Sequence, residues 1–466
     1  MTLFLTTLIL YYAIAVTIGL VRWRRMSATD YVSAPNSVGP IALTLSLTAT
    51  IVGGGMFFSV AALGFVNGLL PLALGVSYLI GSVVLGTLAP ALRRLMHEHE
   101  VDTLFGVIDV LYPQSTVRIS TLLAVGSVIA FALMLAVQYV SLGTIWAHTQ
   151  DLKLSTSIAL VAGVIAVVST VLYSAFGGFL RDIWTDVVQM VFVAGGLVVL
   201  VGQLAAKDVT AQVQALPIDF FVLGSGEWIF FIGSLLFVAP TFLVRYDLWQ
   251  RVRAAKSDRA ATWSFVTSGL LAFACFVVFG LIGVYTRATV GESIEGEFAA
   301  VRFFGMMAEG SGYGILTAAF LAAVMSSADT FLGVAGLSLA RLWPYRRGEL
   351  DRAKDRVSVK KLRALTGLVG VTALALAVVT ADMVDLFTQA FGVLLVFLPA
   401  VAGGLVAAEK SEKAARWSIY TGMTAFLPAA AIIPREAFLV GLVVATSVYT
   451  VIKFMEKKSR SHPQSR

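Results

Sequence analysis

Thirteen apolar stretches, each long enough to cross a bilayer, set the terms for this chain: approximately 2–21, 39–63, 69–92, 119–146, 155–175, 183–206, 227–244, 262–285, 312–340, 362–381, 385–408, 415–433 and 436–453. About 20 apolar residues in a helix span the roughly 30 Å hydrocarbon layer. Nothing in that layer can hydrogen-bond a free backbone, so segments of this kind fold as helices that satisfy their own amides. The composition agrees: 58% of the side chains are hydrophobic and only 13% are charged, whereas a soluble domain carries about a quarter charged. The expected fold class is an all-α polytopic membrane protein.

The basic residues test the number of spans. With the N-terminus outside, the inside segments 22–38, 93–118, 245–259, 341–363, 410–416 and 453–466, together with Arg181, hold 29 of the 34 Lys and Arg. The outside segments hold only Lys153, Lys207, Arg287, Arg302 and Arg435. An inside excess of this kind orients helices during insertion. One span too many or too few would invert the bias partway along, so the reading is thirteen helices, N-out and C-in. The first stretch has no basic region before it and no small-residue cleavage site, and Arg22, Arg24 and Arg25 follow it. It is therefore read as a helix and not as a signal peptide. The net charge of +7 is then explained by loop orientation and by anionic headgroups, and the basic stretch Arg346–Arg363 is read as lying on the membrane and not on nucleic acid.

One cysteine and four histidines supply too few ligands for a zinc or iron–sulfur centre. His97 and His99 stand beside Glu98 and Glu100 at the inner edge of the third stretch with no further ligand in view, and a surface helix end is expected there. No enzyme is expected.

Polar residues inside the apolar stretches carry the functional argument. The second reads Leu47-Thr48-Ala49-Thr50-Ile51-Val52-Gly53-Gly54-Gly55-Met56-Phe57-Phe58-Ser59. Each glycine costs roughly 1 kcal/mol of helix propensity, which favours a break that exposes backbone groups to a cavity. Close packing of small residues is the other reading of the triplet. In the ninth stretch, Ala323, Ser326 and Ser327 share one helical face, a row of neutral hard oxygens suited to a weakly held monovalent cation. Asp329, two residues on, and Asp186 in the sixth stretch are acids at membrane depth, which are functional-site hypotheses by default. Asp182 is read as the ordinary interfacial acid, paired with Arg181.

Taken together, these segments resemble the sodium/solute symporter family. The resemblance rests on the glycine-rich second stretch and on Tyr173-Ser174-Ala175-Phe176-Gly177-Gly178 followed by Trp184-Thr185-Asp186. It rests also on Asp247-Leu248-Trp249-Gln250-Arg251 with Ala254-Ala255-Lys256, and on the run from Ala322 to Asp329, all in order. It implies a LeuT-type five-plus-five inverted repeat with the first helix of each repeat broken. The expected divisions are an extra helix and inside loop (1–38), repeat one (39–206), an outside loop (207–226), repeat two (227–408) and two appended helices with a short tail (409–466). Gly233, Ser234 and Pro240 are the expected interruption in the seventh stretch.

By the same resemblance, a principal Na+ site uses the carbonyls of Ala49, Val52 and Ala323 and the hydroxyls of Ser326 and Ser327. Asp186, Asp329 and Thr330 fall where some members hold a second Na+; whether Asp329 adds a Na+, takes a proton or pairs with a base is left open. Solute-binding candidates are Gly53, Met56, Phe57, Gln138, Arg245 and Gln389. For both glutamines interhelical hydrogen bonding is an equal expectation. Arg245 suits a carboxylate, with pairing to Asp247 as the alternative. Ile51, Gly53 and Met56 stand where sialic-acid carriers have hydroxyl side chains, and Ile51 where proline carriers have an acid. These departures argue against a carbohydrate and against a copy of the proline site. The expected function is Na+-coupled symport of a small organic solute, an organic anion or amino acid, in the cell membrane. A proton-coupled or uncoupled carrier of the same fold is the rival. The bilayer and the solute are the only partners expected.

Overall fold

A computed structural model describes residues 13, 14, 17, 27–113, 118–149, 156–206, 209–222, 224–307, 313–342, 359–379 and 383–461. Most of the first apolar stretch, Arg22 to Arg25, Lys153, Lys207 and most of the loop Arg346–Arg363 lie outside them, as do the side chains of Tyr173–Gly177.

The described chain is helical throughout. In order the helices are α1 (Ala28–Val32), α2 (Pro40–Ile51), α3 (Gly54–Asn67), α4 (Pro71–Glu98), α5 (Leu104–Leu111), α6 (Ile119–Thr149), α7 (Thr156–Ala206), α8 (Val209–Gln214) and α9 (Ser225–Phe237). They continue with α10 (Tyr246–Ala254), α11 (Asp258–Val290), α12 (Ala299–Met307), α13 (Tyr313–Leu342), α14 (Val359–Val379), α15 (Met383–Leu395), α16 (Leu398–Val406), α17 (Glu412–Ile432) and α18 (Ala437–Ser461). Among the described residues nine spans are long and apolar enough to cross a membrane, or ten with the bent pair α2–α3. Each of the ten coincides with one of the thirteen expected stretches. Of the other three, the first lies mostly outside the described residues, the fifth is the opening half of α7, and the twelfth is the 21-residue α17.

α7 is one long helix broken at Gly178, where φ is +65°. That left-handed backbone favours glycine, and a Cβ there would lie 2.5 Å from the ring of Tyr31 on α1. The break separates the fifth and sixth expected spans. α13 is the central post: 94% of its apolar window is buried inside the protein, between α7, α6 and α14.

Loops assigned to the same side of the membrane meet one another. On the expected inner side, Arg93 donates to Asn36 Oδ1 (3.0 Å), to Asp258 (2.9 Å) and to the carbonyls of Val252 and Ala255. Arg253 pairs with Asp102 at 2.7 Å, and Asp109 takes Arg118 and Arg341. On the expected outer side Arg287 pairs with Glu292 and lies over Phe65 and Phe220, while Arg435 pairs with Asp385. The segment entering α2 is zipped to the segment leaving α10: Asn36 N donates to Arg253 O, Val38 N to Ala254 O and Lys256 N to Val38 O, forming a parallel bridge between Val38 and Ala255.

Candidate cation and solute site

The glycine triplet does break its helix. α2 ends at Ile51, Val52 and Gly53 leave helical geometry (ψ 74° and −179°), and α3 starts at Gly54; the two halves meet at 59°. Close packing is equally real. A Cβ on Gly53 would lie 2.4 Å from Ser327 Oγ, one on Gly54 2.5 Å from Ser141 Cβ, and one on Gly55 2.6 Å from Val137. Both readings of the triplet hold: the break is also a place where α6 and α13 pack closely against it.

A helix end leaves carbonyls without intrahelical donors. In α2, Val52 N turns back to Thr48 O and Gly53 N to Ile51 O. The Ala49 and Thr50 carbonyls, which unbroken helix would have engaged, point instead to α13. Ser326 Oγ donates within 3.0 Å of Ala49 O and lies 2.8 Å from Ala323 O. Ser327 Oγ lies 3.1 Å from Ala49 O and 3.3 Å from Thr50 O. All of these residues are buried. Ala49, Ala323, Ser326 and Ser327, four of the five expected members of the principal Na+ site, thus meet at one point. Val52 sits at the break itself, fully buried.

The donor set is chemically apt for Na+. Each hydroxyl can turn its proton away and present a lone pair, and neutral hard oxygens suit a hard, weakly bound ion. No group of three His, Cys, Asp or Glu among the described residues could hold a metal.

The α3 end of the break is also capped. Gln138 Oε1 accepts from Gly54 N at 2.8 Å, satisfying an amide that an N-terminus leaves free. Of the two expectations for Gln138, interhelical hydrogen bonding is the one the geometry supplies.

Beyond the serines on α13 lies a buried polar cluster. Arg251, on α10, donates from Nε to Ser46 Oγ (3.1 Å), from Nη1 to Asp247 O (3.2 Å), and from Nη2 to Thr330 Oγ1 (3.0 Å) and Asp186 Oδ2 (3.3 Å). Ser46 donates to the same Asp186 oxygen at 2.5 Å. Thr330 lies 3.1 Å from Asp182 Oδ2 and 3.3 Å from Thr50 Oγ1. Arg251 and Asp186 are each 0% exposed.

Two expectations need correction here. Asp182 is half-buried and accepts from Thr330, so it belongs to this cluster and is more than an interfacial acid. Gly233 and Ser234 are continuous helix within α9; the interruption falls at Pro240, where the helix tightens into a 3-10 turn, Ala239–Leu243. Proline lacks the amide that an α-helix needs, and Arg245 follows in extended backbone before α10 begins.

Arg245 is buried and forks onto Asp247, Nε to Oδ1 at 3.1 Å and Nη2 to Oδ2 at 2.5 Å. Its guanidinium also faces the Phe391 ring at 5.9 Å. The alternative stated for it, pairing with Asp247, is the observed geometry, although it is enclosed and does not reach water. Met56 is buried, and Phe57 lines an apolar cavity with Phe279, Phe304, Phe320, Leu316 and Ala323. Asp329 and Thr330 line a second cavity with Tyr31, Gly178, Asp182 and Gln250. Gln389 is half-buried on α15.

Sequence reasoning overlooked Ser46, Thr50 and the role of Arg251. One signal was available for the arginine: a carboxylate at membrane depth needs a cation, and the motif after the seventh stretch supplies one.

Comparison with known proteins follows the same lines. A family model described as the sodium:solute symporter family matches residues 31–422. The high-affinity proline transporter PutP of Bacillus subtilis (strain 168) is 26% identical over 383 residues, 77% of each chain. A solved Na+-coupled sialic acid symporter, in a substrate-bound outward-open state, superposes with a TM-score of 0.77 over 97% of both chains. At 16% identity that likeness speaks for the fold alone.

Proposed function

This chain belongs to the sodium:solute symporter family, a family of multi-pass membrane transporters whose coupling ion is Na+, and on that premise we propose that it imports a small organic solute with Na+ by alternating access. One observation carries the assignment of the ion site. The carbonyl of Ala49, freed by the break in its helix, lies within 3.1 Å of both Ser326 Oγ and Ser327 Oγ. Na+ at this point takes oxygens from α2 and α13 at once and ties the broken helix to the central post. The solute pocket beside the glycines is then complete only when the ion is present. By linkage, each ligand strengthens the binding of the other. A membrane potential of about 100 mV adds roughly 2.3 kcal/mol per charge moved inward.

The topology we propose is thirteen helices, N-out and C-in, with inverted repeats over 39–206 and 227–408. The separate meeting of expected inner and expected outer loops supports it, as does a break near the start of each repeat, at Val52–Gly53 and at Pro240. The cell membrane is the natural location.

For the solute, an amino acid or small organic anion is the reading we favour. The Bacillus proline transporter supports the amino-acid half of it. Ile51, which stands where proline carriers have an acid, argues that the solute is held differently. Arg245 meets a carboxylate in this protein already, that of Asp247, so the solute competes with an internal partner if it uses this guanidinium.

The test is Na+-dependent thermal stabilisation of the purified protein, with K+ and choline as controls, on wild type and on Ser326→Ala/Ser327→Ala. Stabilisation that follows mass action in wild type and disappears in the double variant is expected. A wild type indifferent to Na+ would overturn the reading and favour the rival, in which Asp186 or Asp329 carries a proton.

A further inference from the structure

The cluster around Asp186 contains a cation of its own. Asp186 and Thr330 are two of the three residues at which a second Na+ would bind, and the Arg251 guanidinium lies on both, at 3.3 and 3.0 Å. Thr330 Oγ1, which accepts from Arg251, has one proton, and Asp182 Oδ2 lies in line for it at 3.1 Å. Ser46 is used in the same way: its proton goes to Asp186 Oδ2 and its lone pair receives Arg251 Nε. The hydroxyl oxygens that a small cation would need here therefore already face a guanidinium.

The arginine is held firmly. Nε, Nη1 and Nη2 all donate, Nη1 to the carbonyl of Asp247 one turn back on its own helix, and the guanidinium lies 5.8 Å from the centre of the Phe179 ring. Arginine keeps its charge at any accessible pH. The carboxylate is not saturated, for Asp186 Oδ1 is fully buried without a hydrogen-bond partner. A single guanidinium nitrogen and a single hydroxyl serve the whole group. Loss of Arg251 would leave the Asp186 carboxylate with Ser46 as its one hydrogen-bond partner among the described residues, and would free the Thr330 hydroxyl that Arg251 had engaged, a set of hard oxygens of the kind that takes a monovalent cation.

We infer that Arg251 is a tethered cation occupying the seat of a second coupling ion, so that the protein binds one Na+ and moves one per cycle. This rests on the symport reading and adds its stoichiometry. It also assigns Asp186 and Thr330 to holding an internal charge and removes them from the solute-coupled ion path.

The experiment is equilibrium binding of radiolabelled Na+ to the purified full chain, with choline holding ionic strength constant. Wild type and Arg251→Lys are expected to bind one Na+ per chain at saturation. Arg251→Gln is expected to bind two, and Arg251→Gln/Asp186→Asn to return to one. Two ions on wild type, or one on correctly folded Arg251→Gln, overturns the inference. If Arg251→Gln does not fold, Arg251→Met serves in its place. If neither folds, the wild-type count decides, one ion sustaining the inference and two refuting it. A wild type that binds no Na+ refutes the symport reading itself, which is a different result from either.

Discussion

Gly53→Ala separates the role of the break from the role of its glycines. The backbone at Gly53 (φ −111°, ψ −179°) is one that alanine adopts freely, so no torsional strain enters. The new methyl would lie 2.4 Å from Ser327 Oγ and 2.8 Å from Ser327 Cβ, where ordinary contact begins at 3.4 Å. Rotating the hydroxyl relieves the first clash but not the second, because Cβ moves only with α13. The break and the post must therefore part by about half an ångström, at an overpacking cost of roughly 1–3 kcal/mol. If the two segments part without Na+, the strain against Ser327 is shed there, and the remaining contact, Gln138 Oε1 at 2.9 Å, is met by its flexible amide. With Na+ the carbonyl of Ala49 and both serines must converge, so the cost falls on the ion-bound form. The apparent Na+ affinity is expected to drop about 5- to 150-fold. The ion-free protein loses little, since Gly→Ala at a compatible position recovers about 0.4–1 kcal/mol through the unfolded chain. The assay is the melting temperature across a Na+ titration. A variant with unchanged half-saturation for Na+ would refute the claim that this contact forms the site. One that melts far lower without Na+ would show that the contact persists without the ion, against the reasoning.

Two further outcomes follow from the buried polar pairs. Gln138→Leu strands the Gly54 amide at the start of α3 and is expected to cost about 1–3 kcal/mol, read as a lower melting temperature; Gln138→Glu, which keeps an acceptor, should lose less. Asp247→Asn leaves Arg245 charged and enclosed, at a cost of about 3–5 kcal/mol, whereas Arg245→Met/Asp247→Leu should melt closer to wild type; a single variant as stable as wild type would mean that the pair is hydrated.

Ten of the spans were legible because hydrophobicity is a local property of the sequence, written segment by segment. The face on which Ala323, Ser326 and Ser327 gather was legible for a similar reason: the three lie on one helix, and helical spacing alone aligns them. What could not be read is how α10 returns. Arg251 is 65 residues from Asp186 and 205 from Ser46, and nothing in either segment states that they touch. Asp182 was misjudged because its neighbour Arg181 offered a sufficient partner in sequence, while its contact with Thr330 depends on how α7 turns at Gly178. In the seventh stretch Gly233, Ser234 and Pro240 were expected to interrupt the helix together, and only the proline does. The proline prevailed because a missing amide disrupts an α-helix more than small side chains do.

The zipper between the segment entering α2 and the segment leaving α10 bears on which parts can move. Backbone pairing at Val38 and Ala255, backed by Arg93 reaching both strands of it, makes the inner half of the first broken helix and the tail of the second a single lever. Arg251 sits on that lever, and its guanidinium grips Asp186 on α7. On the proposed topology and mechanism, opening toward the cytoplasm would therefore not proceed as two helices drifting apart independently. Under the proposed mechanism the lever would swing as one piece, with the ionic grip on α7 as the point at which it lets go or from which it pivots.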